Sequence, residues 1–164
     1  RLRLRIMPVS EDNFRAALSR FASGVTVVTT KDAAGGLHGI TVSAFCSVSL
    51  DPPLVLICIE KKAGSHDAIT QSGKFAVNFL DSTQLSLSER FAAQLSDKFE
   101  GPEISLNVDG IPILTGCIAN LECIVKEAYD GGDHTVFIGE VENTAIHEGD
   151  PLLYFRGGYR SIAS

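Results

Sequence analysis

Between His38 and Pro53 apolar and polar residues alternate. Ile40, Val42, Ala44, Cys46, Val48 and Leu50 share one face, and Thr41, Ser43, Phe45, Ser47 and Ser49 share the other. A period of two predicts one β-strand with a single face in a core. The second face carries four hydroxyls and a Phe, with no Lys, Arg, Asp or Glu. The plain reading is a solvent-facing strand. Exposed strands usually carry charge that blunts pairing with other edges, however. A neutral row beside an aromatic ring suits a flat polar ligand with a phosphate tail, since hydroxyls and backbone N–H groups can satisfy its heteroatoms.

The rest of the chain reads in the same way. Over residues 10–24, Phe14, Ala17, Leu18 and Phe21 recur at helical spacing, with Ser10 as N-cap and Gly24 as the stop. "VTVVTT" is a strand, "KDAAGG" a hairpin loop and "DPP" a turn. "LVLICIEK" is apolar on both faces, which predicts a central strand. Ser65 is expected to cap a short helix, "HDAITQS", that Gly73 ends; "KFAVNFL" is the next strand. "DSTQLSLSERFAAQ" predicts a helix, and residues 96–112 a loop rich in Gly and Pro.

The C-terminal third is strand throughout, with two long strands joined through Asp130, Gly131 and Gly132 as a hairpin. About seven strands follow one another through short turns, and the helices enter as insertions without βαβ alternation. The pattern predicts a mainly β fold with added helices, a small antiparallel barrel with helices packed outside. A length of 164 residues fits one domain. Residues 1–9, which include "RLRLRI", read as an arm or expression remnant, and residues 10–164 as the domain.

Composition narrows the chemistry. The net charge of −6 becomes more acidic still once Arg1, Arg3 and Arg5 are set aside, and no basic cluster remains for nucleic acid. The longest apolar run, "LVLICI", is too short to span a bilayer, so a soluble, cytoplasmic protein without a membrane partner is expected. Cys46, Cys58, Cys117 and Cys123 form no CxxC pair and read as buried free thiols of a reducing compartment. Cys117 and Cys123, six apart, would share a face of one strand. His38, His66 and His147 have no metal-ligand spacing, and His66 is a weak candidate near a phosphate. No GxGxxG, P-loop, HExxH or GxSxG is present.

The ordered set "GVTVVTT", "GITVSAFCSVSLDPPLVLICIEK", "SHDAI", "FAVNFL", "SERFA", "DKFEG", "GGDHTVFIGEV" and "PLLYFRGGY" resembles the short-chain flavin reductases, reductase components of two-component flavin monooxygenases. The likeness runs from about Phe14 to Ile162. It implies a split antiparallel β-barrel of the FMN-binding type, a homodimer, and hydride transfer from NADH or NADPH to FMN or FAD. Reduced flavin would then pass to an oxygenase component.

By the same resemblance Thr41, Val42, Ser43 and Ala44 lie along the isoalloxazine edge, with Cys58 and Ile59 flanking the ring from the next strand. Ser47, Ser49 and Ser65 reach towards the ribityl chain and phosphate, where a helix start offers free N–H groups. Arg90 and Phe91 match positions near the phosphate and pocket wall. His134, Tyr154, Phe155, Arg156 and Gly157 match the nicotinamide side, with His134 as the catalytic candidate. Asp133 is set aside, because neighbours on a strand point to opposite faces. Two other readings share the barrel. One is a non-enzymatic FMN-binding electron carrier, which needs no nicotinamide side. The other is an oxidase of an amine or vitamin phosphate, which needs more basic residues than this chain has.

Overall fold

The computed structural model describes residues 9–162; the segment "RLRLRI" lies outside them. In chain order the elements are α1 (Glu11–Leu18), β1 (Ser23–Gly24), β2 (Thr26–Lys31), β3 (Leu37–Val42), β4 (Phe45–Leu50), β5 (Pro53–Glu60), α2 (Gly64–Ser72) and β6 (Lys74–Phe79). They continue with α3 (Leu85–Ala92), β7 (Ile104–Leu106), β8 (Pro112–Leu114), β9 (Ala119–Gly131), β10 (His134–Ile146), β11 (Leu153–Phe155) and β12 (Gly158–Arg160).

Seven strands form one antiparallel sheet in the order β3-β2-β6-β9-β10-β5-β4. Its two outermost strands, β3 and β4, are consecutive in the chain and joined through Ser43 and Ala44 alone. Three Cα steps reach only about 10 Å. The sheet must therefore curl until its edges meet, which makes a barrel with a seam at residues 43–44. At the seam the Cys58 amide of β5 donates to Ala44 O at 3.1 Å, and the Phe45 amide closes the bend by donating to Ser43 O at 2.9 Å.

That seam corrects the single strand expected over residues 38–53. The alternation holds within β3, where Val42 is buried, but breaks at Ser43. Beyond it Phe45 turns towards the core while Val48 and Leu50 are 48% and 98% exposed. Two residues that leave the ladder reset which face points inward.

The barrel interior is filled by Val28, Ile57, Ile59, Ile69, Phe75 and Phe137. Gly139 on β10 makes room for Phe75, since a Cβ there would lie 2.5 Å from the ring. A second cluster, with Val27, Leu80, Phe91, Leu114 and Leu152, packs between the sheet, α3 and the C-terminal segment. The fully buried Asn78 ties these layers together. Its Nδ2 donates to Val27 O at 2.9 Å and Thr29 Oγ1 at 3.1 Å. Its Oδ1 accepts from the Leu114 amide at 3.0 Å and from Asn120 Nδ2 at 2.9 Å.

Other expectations shift in detail. Helix α1 is capped by Ser10 but stops at Leu18, where the Ser19 hydroxyl donates to Ala16 O at 2.8 Å. None of its side chains is buried. Strand β5 is interior to the sheet, yet only Val55, Ile57 and Ile59 are buried, and Leu54, Leu56 and Cys58 are half-covered. Helix α2 starts at Gly64 with Ala63 in the cap position, and Gly73 ends it at φ 65°. Ser65 is thus a buried first-turn residue and not the cap. Helix α3 keeps only Leu85–Ala92 of the longer prediction.

The loop at 96–112 contains β7, which pairs with β8 across a turn. The Asn107 side chain fastens that turn by accepting from the Asp109 and Ile111 amides. All four cysteines are free, but only Cys117 and Cys123 are buried, and burial pushes both thiols up to about 12. They do not share a strand face, because β9 begins only at Ala119.

Candidate functional site

Four pieces of chain meet at one cleft of about 740 Å³. The seam contributes Ser43, the β9–β10 turn Asp133 and His134, the β11–β12 hairpin Tyr154 and Gly157, and α1 the side chains Phe14 and Leu18. Phe21, 81% exposed, closes the same wall. The apolar stripe of α1 therefore faces a cleft and not the core. A few polar groups among apolar and aromatic walls, in this size range, are the usual composition of a small-molecule site.

Local geometry explains each placement. Phe155 pairs with Gly158, so β11 and β12 are joined by Arg156 and Gly157 alone. Both have positive φ, 52° and 72°. A two-residue hairpin needs this, because such a turn matches the right-handed twist of its strands. Glycine meets the demand freely and Arg156 under strain. The Arg156 amide donates to Ser19 O at 2.8 Å, and its guanidinium lies 5.2 Å from the Phe155 ring centroid. Tyr154 packs edge-on against Tyr159 at 5.4 Å.

His134 opens β10, and its Nδ1 lies 2.7 Å from Asp133 Oδ1. That hydrogen bond holds the Asp133 carboxyl below the usual carboxylate range. Asp133 thus orients His134 after all. It sits in the turn before the strand, where the rule of opposite faces does not apply. With Nδ1 engaged, Nε2 is the imidazole atom left for a ligand.

A smaller cleft of about 260 Å³ lies at the other end of β3, lined by His38, Gly39, Ile40, Ser65 and Phe91. Lys98 at its edge donates to Gly39 O at 3.1 Å and Phe91 O at 2.9 Å, and burial lowers its pKa. Arg90 turns away. Its guanidinium donates to the carbonyls of Asp97, Lys98 and Glu100, at 2.5, 2.7 and 2.7 Å, so it clamps the loop after α3. From Gly39 to Ser43 the chain runs about 13 Å at strand rise. Strand β3 therefore links the two clefts.

The hydroxyl row divides accordingly. Ser43 and Ala44 are exposed at the seam, whereas Thr41 donates to Ser88 O at 2.6 Å and supports α3. Val42 and Ile59 are core residues. Ser47 and Ser49 lie on β4 and line neither cleft; Cys58 is half-buried on β5. The α1 stripe and Asp133 are the residues that sequence reasoning missed. A signal existed for both, since a stripe on a short helix need not face a core and Asp133 follows Gly131-Gly132.

The flavin reductase-like domain model matches residues 18–163. This chain belongs to the flavin reductase-like family. A flavin-dependent monooxygenase reductase subunit of Rhodococcus jostii is 43% identical over 150 residues, covering 91% of this chain and 76% of that protein. A probable flavin reductase of Rhizobium meliloti is 43% identical over 148 residues, or 88% of this chain; the chain spans 47% of that relative's length. The solved NADH:FAD oxidoreductase of Streptomyces globisporus, in complex with NAD and FAD fragments, superposes with a TM-score of 0.91 at 36% identity. That likeness covers 96% of each chain. The split barrel and its seam are thus features of a flavin reductase-like fold. Among its described residues no helix is long and apolar enough to cross a membrane, and no three His, Cys, Asp or Glu side chains cluster as metal ligands would.

Proposed function

We propose that this flavin reductase-like protein is an NAD(P)H:flavin oxidoreductase that supplies reduced FMN or FAD to a partner monooxygenase. The observation that carries the reading is the meeting of Ser43, His134 and Tyr154 at one cleft in a chain of this family. The residues fit a flat heteroaromatic ring. Ser43 and Ala44 are small and exposed, so a ring can approach the backbone, and Phe14, Leu18 and Tyr154 offer apolar surface. Ser65 and the first turn of α2 suit a phosphate at the far end of β3.

When bound, the reduced nicotinamide supplies a hydride and the flavin accepts it. The protein's share is proximity and exclusion of water more than acid-base chemistry. Ser43 and Ala44 set the depth of the flavin side. Asp133 holds His134 so that Nε2 faces the cleft, where it fixes the nicotinamide amide or carries a proton. Tyr154 and Gly157 form the opposite lip, and Phe155 and Arg156 complete the hairpin behind it. NADH is the expected donor over NADPH. Arg15 is the one Lys or Arg lining the cleft among the described residues, and Glu11 lies 3.6 Å from it.

The homodimer rests on the family resemblance, and the exposed Val48 and Leu50 on β4 are apolar surface available to it. The four free thiols favour a reducing compartment, the cytoplasm. The test mixes the protein with NADH or NADPH and either FMN or FAD, then follows nicotinamide oxidation and its order in flavin. Oxidation with NADH preferred is expected. No oxidation by any pair overturns the enzyme reading and leaves the electron carrier.

A further inference from the structure

From the β5–α2 link and the first turn of α2, two side chains, Lys61 and His66, reach across to the turn that carries His134. The Lys61 amide donates to Asp133 O at 2.9 Å. Its Nζ donates to Gly132 O at 2.6 Å and to the Asp130 carboxylate. Five residues further on, His66 Nε2 lies 2.8 Å from Thr135 Oγ1, and its ring packs 5.7 Å from Phe137. The other ring nitrogen is 3.2 Å from Asp67 Oδ1. The chain is therefore held at Gly132 and Asp133 on one side of His134 and at Thr135 on the other.

Neither contact is needed for the barrel. The pairing of β5 with β10 already places His134 opposite Glu60 and Thr135 opposite Ile59. The Lys61–Asp130 pair is exposed, and such pairs add little to stability. What the two side chains restrict is the turn itself, whose Gly131 and Gly132 would otherwise leave it free. Their common origin is the segment that leads into α2 and Ser65, at the smaller cleft.

We propose that Lys61 and His66 are positioning residues that fix the turn carrying His134. The inference rests on the reading that His134 faces the nicotinamide. Loosening either tether leaves the imidazole in place on average but spreads its positions, and a small misplacement of a positioning group is costly in rate. The deficit falls on the nicotinamide and not on the flavin.

The test uses Lys61→Ala, which keeps the amide bond, and His66→Phe, which keeps the ring on Phe137 but loses the bond to Thr135. Each is expected to raise KM for NADH by about threefold to tenfold while KM for flavin stays within about twofold. In the flavin-free protein, NMR order parameters over residues 131–135 are expected to fall from about 0.85 towards about 0.6. Lys61→Arg, which keeps a cationic donor, should restore both readouts.

Unchanged order parameters and an unchanged KM for NADH overturn the proposal, as does an equal rise in both KM values. His134→Ala run alongside separates two failures. If it also leaves KM and kcat untouched, the reading of His134 has failed; if it alone has an effect, the tethers have.

Discussion

Asn78 and His134 are polar side chains on the same seven-stranded sheet, and their surroundings are opposites. Asn78 lies inside β6 and is fully buried, and its amide makes four hydrogen bonds to groups on β2, β8 and β9. His134 stands at a strand end, partly exposed, with one protein partner on its ring. The contrast shows how this fold divides its work. Groups that fix the shape are saturated inside the wall, where register leaves them no freedom. Groups suited to a ligand sit at the seam, on tight turns and on a helix with nothing buried, where bonding capacity is left over.

Asn78→Leu should produce the largest effect. It leaves the Leu114 amide and the Asn120 amide without their shared acceptor, and unpaired buried groups cost about 1–3 kcal/mol each. A loss of about 3 kcal/mol or more in denaturant unfolding is expected. A change under about 1 kcal/mol would mean that the network is not the joint between β6 and β8.

His134→Ala comes next, and it should move rate and not stability. Turnover is expected to fall about tenfold, a difference of about 1.4 kcal/mol in the barrier, with an unchanged melting midpoint. Turnover survives because hydride transfer needs proximity more than an acid or base. Steady-state kinetics equal to those of the wild type would take His134 out of the site. A lowered midpoint with normal turnover would move it to the structural group beside Asn78.

The same contrast explains what could be read from the sequence. Strands β2, β5, β6 and the β9–β10 hairpin announce themselves through β-branched runs and a Gly-Gly turn, because a wall is specified residue by residue. The ordered motifs were legible too, and two of the residues they single out, Ser43 and His134, line one cleft. What escaped depends on where the chain leaves the ladder. Alternation from Ile40 to Leu50 carries no mark of the break at Ser43, since small polar residues fit a strand or a bend. The stripe of Phe14, Leu18 and Phe21 looks the same whether it faces a core or a cleft. Asp133 and Arg90 were misjudged for a related reason. Their partners, His134 and the carbonyls of Asp97, Lys98 and Glu100, are set by turn geometry that no periodicity records.

The smallest effect tests whether the cleft rim really carries strain. Arg156 holds φ 52° because a two-residue hairpin demands it, and an L side chain in that region costs about 1–2 kcal/mol. Arg156→Ala and Arg156→Gly remove the same guanidinium, together with its place over the Phe155 ring. They should therefore share one kinetic phenotype, a modest rise in KM for the nicotinamide. They should differ in stability. Alanine keeps the strained conformation, whereas glycine adopts it freely and gives back part of the gain through its looser unfolded chain. Glycine is expected to be the more stable of the two by about 1 kcal/mol. Equal stabilities would show that the turn relaxes once the arginine is gone, so that the strain belonged to the side chain's own contacts and not to the hairpin. Unequal kinetics would show that backbone freedom at residue 156, and not the guanidinium, shapes this lip of the cleft.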